Sequence, residues 1–358
     1  MQLDRLWLTD FRNYASAELV PAVTGLTVIT GSNGEGKTNL LEAVGYLASL
    51  KSFRGAPAEA LVRVGAPHAI VRAEAHREGR NLLLEAELRP AGRDRVQVNR
   101  QPLRRTRELL GALQVTVFSP DDLVLVKGGP QGRREYLDDL LVALHPRHDA
   151  LRSDLDRILR QRNALLKQAG GRLSPDIATT LDVWDAKLAV VGTEAATSRH
   201  ALVEQLQPLV GTVYDRVAER TAQVKLAYQR SWTGPLRDAL VAARNDDVRR
   251  GITTVGPHRD ELFGTIGGLP ARTHASQGEQ RSLALALRLA GHQAVTDRVE
   301  SAPVLLLDDV FSELDPDRCE ALLQAMPPGQ ALLTTSSALP AEARPEVVVR
   351  IEDGKVLS

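Results

Sequence analysis

The run Gly31-Ser32-Asn33-Gly34-Glu35-Gly36-Lys37-Thr38 fits the G-x-x-x-x-G-K-[ST] spacing of a phosphate-binding loop. The spacing has a chemical origin. Glycines let backbone N–H groups curl around phosphates, and the start of a following helix adds partial positive charge. A lysine, here Lys37, reaches the β- and γ-phosphates, and a hydroxyl, here Thr38, meets Mg²⁺. Far downstream, Val304-Leu305-Leu306-Leu307-Asp308-Asp309 delivers two carboxylates from the carboxyl end of an apolar strand, where open α/β sheets place ligands. Asp308 suits an Mg²⁺ held through water, and Asp309 suits a base that polarises an attacking water. By itself such a run reads as a strand entering a solvated turn; with the phosphate loop it reads as a nucleotide site.

A third candidate is Ser276-Gln277-Gly278-Glu279-Gln280, ahead of a helix carrying Leu283, Leu285, Leu287 and Leu289. Its plain reading is a capping box, Ser276 at the N-cap and Glu279 reaching back. A hydroxyl and free N–H groups at a helix start also suit a γ-phosphate.

The elements that must position these residues are legible in the periodicity. Leu26, Val28 and Thr30 alternate with Thr27 and Ile29 before Gly31, and Leu40, Leu41, Val44 and Leu47 recur at helical spacing after it: strand, loop, helix. From about 60 to 118, strand-like runs broken by glycine and proline predict an antiparallel sheet. Between about 131 and 228 the periodicity is helical, punctuated by Pro146, Gly170-Gly171 and Pro208. The expected fold is α/β, a P-loop domain with a mixed sheet and an antiparallel β subdomain, interrupted by an inserted α-helical domain. The expected segments are 1–125, 126–245 for the helical insert and 246–358. The helical region is too short for a long coiled coil.

Composition sets limits. The 358 residues carry 45 Lys plus Arg against 45 Asp plus Glu, so a globally basic nucleic-acid coat is disfavoured and any grip on phosphate must be local. Only 4% are aromatic, which counts against base stacking as the main binding device. The single cysteine, Cys319, cannot close an internal disulfide, and the charged opening Met1-Gln2-Leu3-Asp4-Arg5 lacks the form of a signal peptide. No apolar run approaches the roughly 18 residues of a membrane span. A reduced, cytoplasmic setting is expected.

Taken in order, the Ser276 run resembles the signature sequence of ATP-binding-cassette ATPases, and Ser312-Glu313-Leu314-Asp315 resembles their D-loop. Further runs are similar to the RecF family of bacterial recombination mediators, SMC-like members of that class: Asp10-Phe11-Arg12-Asn13-Tyr14, Ser119-Pro120-Asp121-Asp122-Leu123, Lys127-Gly128-Gly129-Pro130 with Arg133-Arg134, Leu137-Asp138, Arg160-Gln161-Arg162-Asn163 and Gly256-Pro257-His258-Arg259-Asp260. They span the whole chain.

The resemblance implies an SMC-like ATPase head with 1–125 as its first lobe, 126–245 as its arm and 246–358 as its remainder. It implies an ATPase that binds ATP and Mg²⁺, hydrolyses ATP slowly and dimerises on it. It also implies recognition of gapped DNA at single-strand/double-strand junctions and, with RecO and RecR, loading of RecA during repair and the SOS response. By motif, Arg12 and Asn13 lie near the nucleotide, and Gly31, Ser32, Asn33, Gly34, Glu35, Gly36, Lys37 and Thr38 bind phosphates. Thr38 and Asp308 hold the metal, Asp309 is the base, and Ser276, Gln277 and Gly278 meet the partner subunit's ATP. The Gly256–Asp260 run is expected in the head-site architecture. Three features depart from the wider class. Asp309 stands where a glutamate is usual, Thr334-Thr335-Ser336-Ser337 offers no switch histidine, and Gln114 is only a candidate for the Mg²⁺-sensing glutamine.

Charge is unevenly spread. Arg89 to Arg107 holds seven arginines against Asp94, a net of +6, and Arg157 to Arg172 holds five basic residues and no acid. Asp297 to Glu320 holds eight acids against two arginines. Solvated charge is the ordinary reading of any one arginine. As patches, Arg93, Arg95, Arg100, Arg104, Arg105, Arg107, Arg160 and Arg162 are candidate DNA-backbone contacts without base readout. A transporter ATPase subunit and a non-hydrolysing ATP clamp are the competing readings.

Overall fold

The computed structural model describes every residue except 219, 220, 313, 338, 341 and 358. The chain divides into two compact units: 1–123, 209–222 and 281–358 form the first, and 124–208 and 223–280 the second. These units cut the chain differently from the three segments read from the sequence, because 246–280 falls with the helical unit.

The first unit holds two six-stranded sheets. One is antiparallel in the order Tyr14–Leu19, Gln2–Phe11, Ala69–Arg77, Arg80–Leu88, Arg95–Val98, Gln101–Pro102. The other runs Lys355–Leu357, Val347–Glu352, Gly25–Thr30, Gln330–Thr335, Val304–Asp308, Val115–Phe118, and is parallel except at its Lys355–Leu357 edge. The helix Lys37–Ser49 lies between them: Leu40, Leu41, Val44 and Leu47 are fully buried in one cluster with Leu6, Leu8 and Val71 of the antiparallel sheet and Ile29, Leu306 and Leu332 of the parallel one. The opposite face of the parallel sheet buries Val28, Leu305, Leu307 and Leu333 against Leu285, Leu289 and Leu322. Val304 to Leu307 read as a continuous apolar run because both faces of that strand are covered. Gln330 joins the two sheets, its side chain accepting from Leu3 N at 2.7 Å and donating to Leu3 O at 2.8 Å and Ala22 O at 2.6 Å.

The second unit contains the helices Pro130–Leu144, His148–Gln168 and Leu236–Arg250, most of the 43-residue helix Pro175–Val217, and a three-stranded antiparallel sheet of Val224–Gln229, Glu261–Ile266 and Leu269–Pro270. Pro208, expected to end a helix, lies inside this long one. The boundary between the units falls immediately after it.

The Gly256–Asp260 run falls within this second unit. It is a short turn that fastens helices to the sheet. Asp260 accepts from Tyr228 Oη at 2.5 Å and Ser231 N at 2.8 Å, and Arg199 donates to Pro257 O at 2.7 Å while pairing with Asp138. His258 meets Thr253 O at 3.0 Å, so Nε2 carries the proton, and burial pushes its pKa down to about 4. Among the described residues no helix is long and apolar enough to cross a membrane.

Candidate nucleotide site

The parallel register brings the phosphate loop and the acidic strand to one edge. Thr30, which leads into Gly31, pairs with Thr335, and Asp308 pairs with Thr334 of the same neighbouring strand. Gly31, Gly34 and Gly36 all take positive φ, at 154°, 91° and 109°. Two of them are also places of close approach. A Cβ at Gly31 would sit 2.5 Å from Ile351 O, and one at Gly36 would sit 2.5 Å from Asn13 Nδ2 and 2.9 Å from Tyr14 Oη.

Asn13 reaches the loop because Phe11 and Tyr14 pair across a two-residue hairpin turn, with Arg12 at φ 55°. Its amide donates to Glu35 O at 2.9 Å and accepts from Asn39 at 2.8 Å, and Tyr14 Oη donates to Gly36 O at 3.0 Å. Glu35 in turn accepts from Asp353 N. Arg12 is otherwise engaged. Its guanidinium forms two 2.7 Å bonds to Glu42, which is fully buried on the phosphate-loop helix, and one to Ala60 O. It therefore braces the loop from behind through Glu42.

Lys37 is nearly buried and curls back to donate to Gly31 O at 2.8 Å and Ser32 O at 2.9 Å. Thr38 Oγ1 donates to Asp308 Oδ1 at 2.7 Å, and Thr334 Oγ1 donates to the same oxygen at 2.7 Å. Burial raises the Asp308 pKa, and these two hydroxyls oppose the rise. Asp309 takes φ 46° while its N–H is held by Thr334 O at 3.1 Å and Oγ1 at 3.0 Å. Its Oδ1 is shielded from solvent and meets no partner among the described residues. A buried carboxylate oxygen left this way is costly unless a ligand or water completes it.

These groups fit a nucleoside phosphate with Mg²⁺. The positive-φ glycines expose backbone N–H groups and the lysine can exchange loop carbonyls for phosphate. Thr38 and Asp308 form the small oxygen set that Mg²⁺ uses beside waters and phosphates.

Thr334 was seen in the sequence only as a missing histidine, yet it touches both acids. Arg54 was missed altogether. It is exposed, its Nη1 lies 3.4 Å from Asn39 Oδ1, and its charge favours ionised Asp308. Its signal would have been a lone arginine shortly after the phosphate-loop helix, too weak to read without geometry. Gln114 is corrected: its carbonyl accepts from Val304 N at the start of the acidic strand, four residues before Asp308, or about 13 Å at strand rise. It lies at the opposite edge of the sheet from the phosphate loop.

Ser276 and Glu279 form the expected capping box, with Ser276 N donating to Glu279 Oε2 at 2.8 Å and Glu279 N donating to Ser276 Oγ at 3.3 Å. Gln277 and Gly278 open the helix Gln277–Val299. Within the run resembling a D-loop, Glu313 lies outside the described residues.

The model of the RecF/RecN/SMC N terminal domain matches residues 2–335. A protein of Frankia alni named "DNA replication and repair protein RecF" is 46% identical, with 96% of each chain covered, and one of that name from Streptomyces avermitilis is 45% identical over 94% of each. The chain belongs to the RecF family. A solved structure of "the recombination mediator protein RecF-ATP in RecFOR pathway" superposes with TM-score 0.91 at 28% identity, covering 99% of this chain and 97% of that one. An SMC head bound to a domain of ScpA, at TM-score 0.60 and 17% identity, shares the fold alone. The RecF-family fold is thus the expected SMC-like head of mixed α/β architecture.

The two arginine-rich runs fare differently. Arg93, Arg95, Arg100, Arg104, Arg105 and Arg107 are all exposed around the Arg95–Val98 and Gln101–Pro102 strands, and none has a carboxylate partner among the described residues. Arg89 of the same run pairs with Glu87 at 2.6 Å. In the second run Arg160 is exposed, but Arg162 is completely buried and bonds Asp185 and Asp247 at 2.7 Å each, with Thr253 at 2.9 Å. Arg162 is therefore not a DNA contact. It lies two residues from Arg160, which at about 100° per residue turns it to the interior face.

Proposed function

We propose that this RecF-family chain is an ATP-dependent switch of DNA repair. The reading rests on one arrangement: Thr38 is bonded to Asp308, with Asp309 next in the chain, beside a glycine loop whose lysine, among the described residues, bonds only loop carbonyls. ATP is held by residues 31–38, with Lys37 moving from Gly31 O and Ser32 O to the phosphates. Asn13 and Tyr14 keep the loop curled through Glu35 O and Gly36 O. Thr38 and Asp308 hold Mg²⁺, which neutralises phosphate charge when bound. Asp309 accepts the proton of a water placed at its vacant Oδ1 position. Being one methylene shorter than glutamate, it holds that water less well, consistent with slow turnover.

Ser276, Gln277 and Gly278 serve the ATP of a second copy, so ATP joins two heads into a homodimer. That dimer recognises gapped or junction DNA in the cytoplasm. It acts with RecO and RecR to promote RecA loading and the SOS response. Turnover is stimulated by DNA.

Asp309→Asn should keep ATP-driven dimerisation in sedimentation while lowering turnover roughly 100-fold. Wild-type turnover no higher than that of Asp309→Asn would make the protein an ATP clamp, and an oligomer indifferent to ATP·Mg²⁺ would end the switch reading. DNA contact is carried by the exposed arginines of 93–107. Reversing Arg104, Arg105 and Arg107 to Glu should weaken duplex binding at least ten-fold and flatten its slope against salt, since each phosphate contact contributes about one unit of that slope. Unaltered binding would remove this surface from the interface.

A further inference from the structure

We propose that the groove between the helices His148–Gln168 and Pro175–Val217 is a subsite for single-stranded DNA, in which one base stacks on Trp184 while Arg157 and Lys187 take the flanking phosphates. The proposal rests on the DNA-binding reading above and adds to it a place where the strand's bases, not only its backbone, are held.

The groove is a cavity of about 660 Å³, within the usual range of about 300–1,000 Å³ for sites that hold small ligands. Its floor is apolar, formed by Ile158, Val190 and Val191. Val190 is 70% exposed and its helix neighbour Val183 is 52% exposed, so apolar surface is offered to solvent beside a tryptophan. Trp184 is half-buried: its indole is anchored against the core cluster around Leu155, Ile158 and Leu188 and still lines the groove. Lys187 Nζ already stands 4.8 Å from the centroid of that ring. The ring face is thus presented to a cation, and a base can replace the ammonium there and release Lys187 to a phosphate.

The lining carries Arg157 and Lys187 against the single carboxylate of Asp154, and this net positive charge beside an aromatic face suits a nucleic-acid strand. Arg157 lines the groove with its side chain 66% exposed, and its partner is Asp154, one turn away at 2.7 Å and itself 51% exposed. Exposed helix pairs of this kind contribute little, so the guanidinium can be exchanged to a phosphate. Gln161 supplies an exposed amide with both donor and acceptor for a base edge. The bases of a duplex are stacked on one another and offer no free face to Trp184, so the subsite selects single strands.

The test uses the full-length protein, fluorescein-labelled oligothymidine and a duplex of equal length. Oligothymidine should quench tryptophan fluorescence, and Trp184→Leu, which keeps an apolar side chain against the core, should remove most of that quenching. The same variant should weaken oligothymidine binding by roughly five- to 100-fold. Its duplex affinity should stay within about two-fold. Lys187→Glu, a surface change, should follow the same pattern, and circular dichroism should match wild type for both. Unchanged oligothymidine affinity in Trp184→Leu, or an equal loss on duplex, overturns the subsite while leaving the DNA-binding reading intact. A wild-type protein that binds neither DNA overturns both.

Discussion

Gly36→Ala should weaken ATP binding by roughly 100-fold, about 3 kcal/mol, while leaving the unfolding temperature within a few degrees. Two costs combine. The residue sits at φ 109°, where an L side chain is strained by about 1–3 kcal/mol. Its new Cβ would also lie 2.5 and 2.7 Å from the Asn13 amide atoms and 2.9 Å from Tyr14 Oη. Neither neighbour gives way freely: Asn13 is pinned by Glu35 O and Asn39, and Tyr14 is completely buried with its hydroxyl on Gly36 O. Relief must come from the loop, which carries the N–H groups that would face phosphate. Gly34→Ala separates the two effects, because a Cβ there meets nothing within 4 Å although φ is 91°. Titration with a fluorescent ATP analogue should therefore rank wild type above Gly34→Ala and Gly34→Ala above Gly36→Ala. Equal affinity of Gly36→Ala and wild type would mean that Asn13 and Tyr14 do not set the loop.

The second large effect is on stability. Arg162→Met should cost on the order of 3–5 kcal/mol, because it leaves buried carboxylates without their cation. Asp247 is fully buried and its Oδ2 accepts from Arg162, while Oδ1 is taken by the N–H and hydroxyl of Thr254. Asp185 keeps Arg244, at 2.8 Å from Nε, so Asp247 bears the larger penalty. Arg162→Lys should fall between, since one ammonium cannot reproduce the fork that spans two carboxylates and Thr253. Urea unfolding followed by circular dichroism reads both variants, and a loss below about 1 kcal/mol for Arg162→Met would show that the network is not what holds these helices. At temperatures where the variant stays folded, its DNA affinity should equal wild type. Arg162 shares its run with exposed arginines, and an unchanged DNA affinity beside a large loss of stability separates burial from surface charge.

The phosphate loop, the acidic pair and the capping box were legible because each is local. A handful of consecutive residues sets its backbone geometry, and period-two and helical patterns placed the flanking strand and helices. The antiparallel pairing of Ala69–Arg77, Arg80–Leu88 and Arg95–Val98 was legible for the same reason. Val115–Phe118 joins the parallel sheet instead, and Gln2–Phe11 with Tyr14–Leu19 completes the antiparallel one, because the pairings that place them are made far along the chain. Pro208 was not, because a helix can run through a proline when the lost hydrogen bond is met elsewhere, and the residue types do not say whether it is. Gln114 was misplaced because its role depends on which end of a parallel strand it occupies, and that register is made with Val304, far along the chain.

Sequence by itself therefore determined the chemistry on offer: a loop that can cradle phosphate, a hydroxyl and carboxylate pair for a metal, a second carboxylate for a water, and two arginine-rich runs. Only the tertiary structure decided which of these groups meet. Thr38 and Asp308, 270 residues apart, share a hydrogen bond, Thr334 joins both acids, and Arg12 serves Glu42 rather than the loop face. It also divided the arginines, exposing those of 93–107 and burying Arg162. The physical reason is common to all: charge and hydroxyl chemistry are properties of a side chain, whereas partner, burial and pKa are set by the surfaces that packing brings around it.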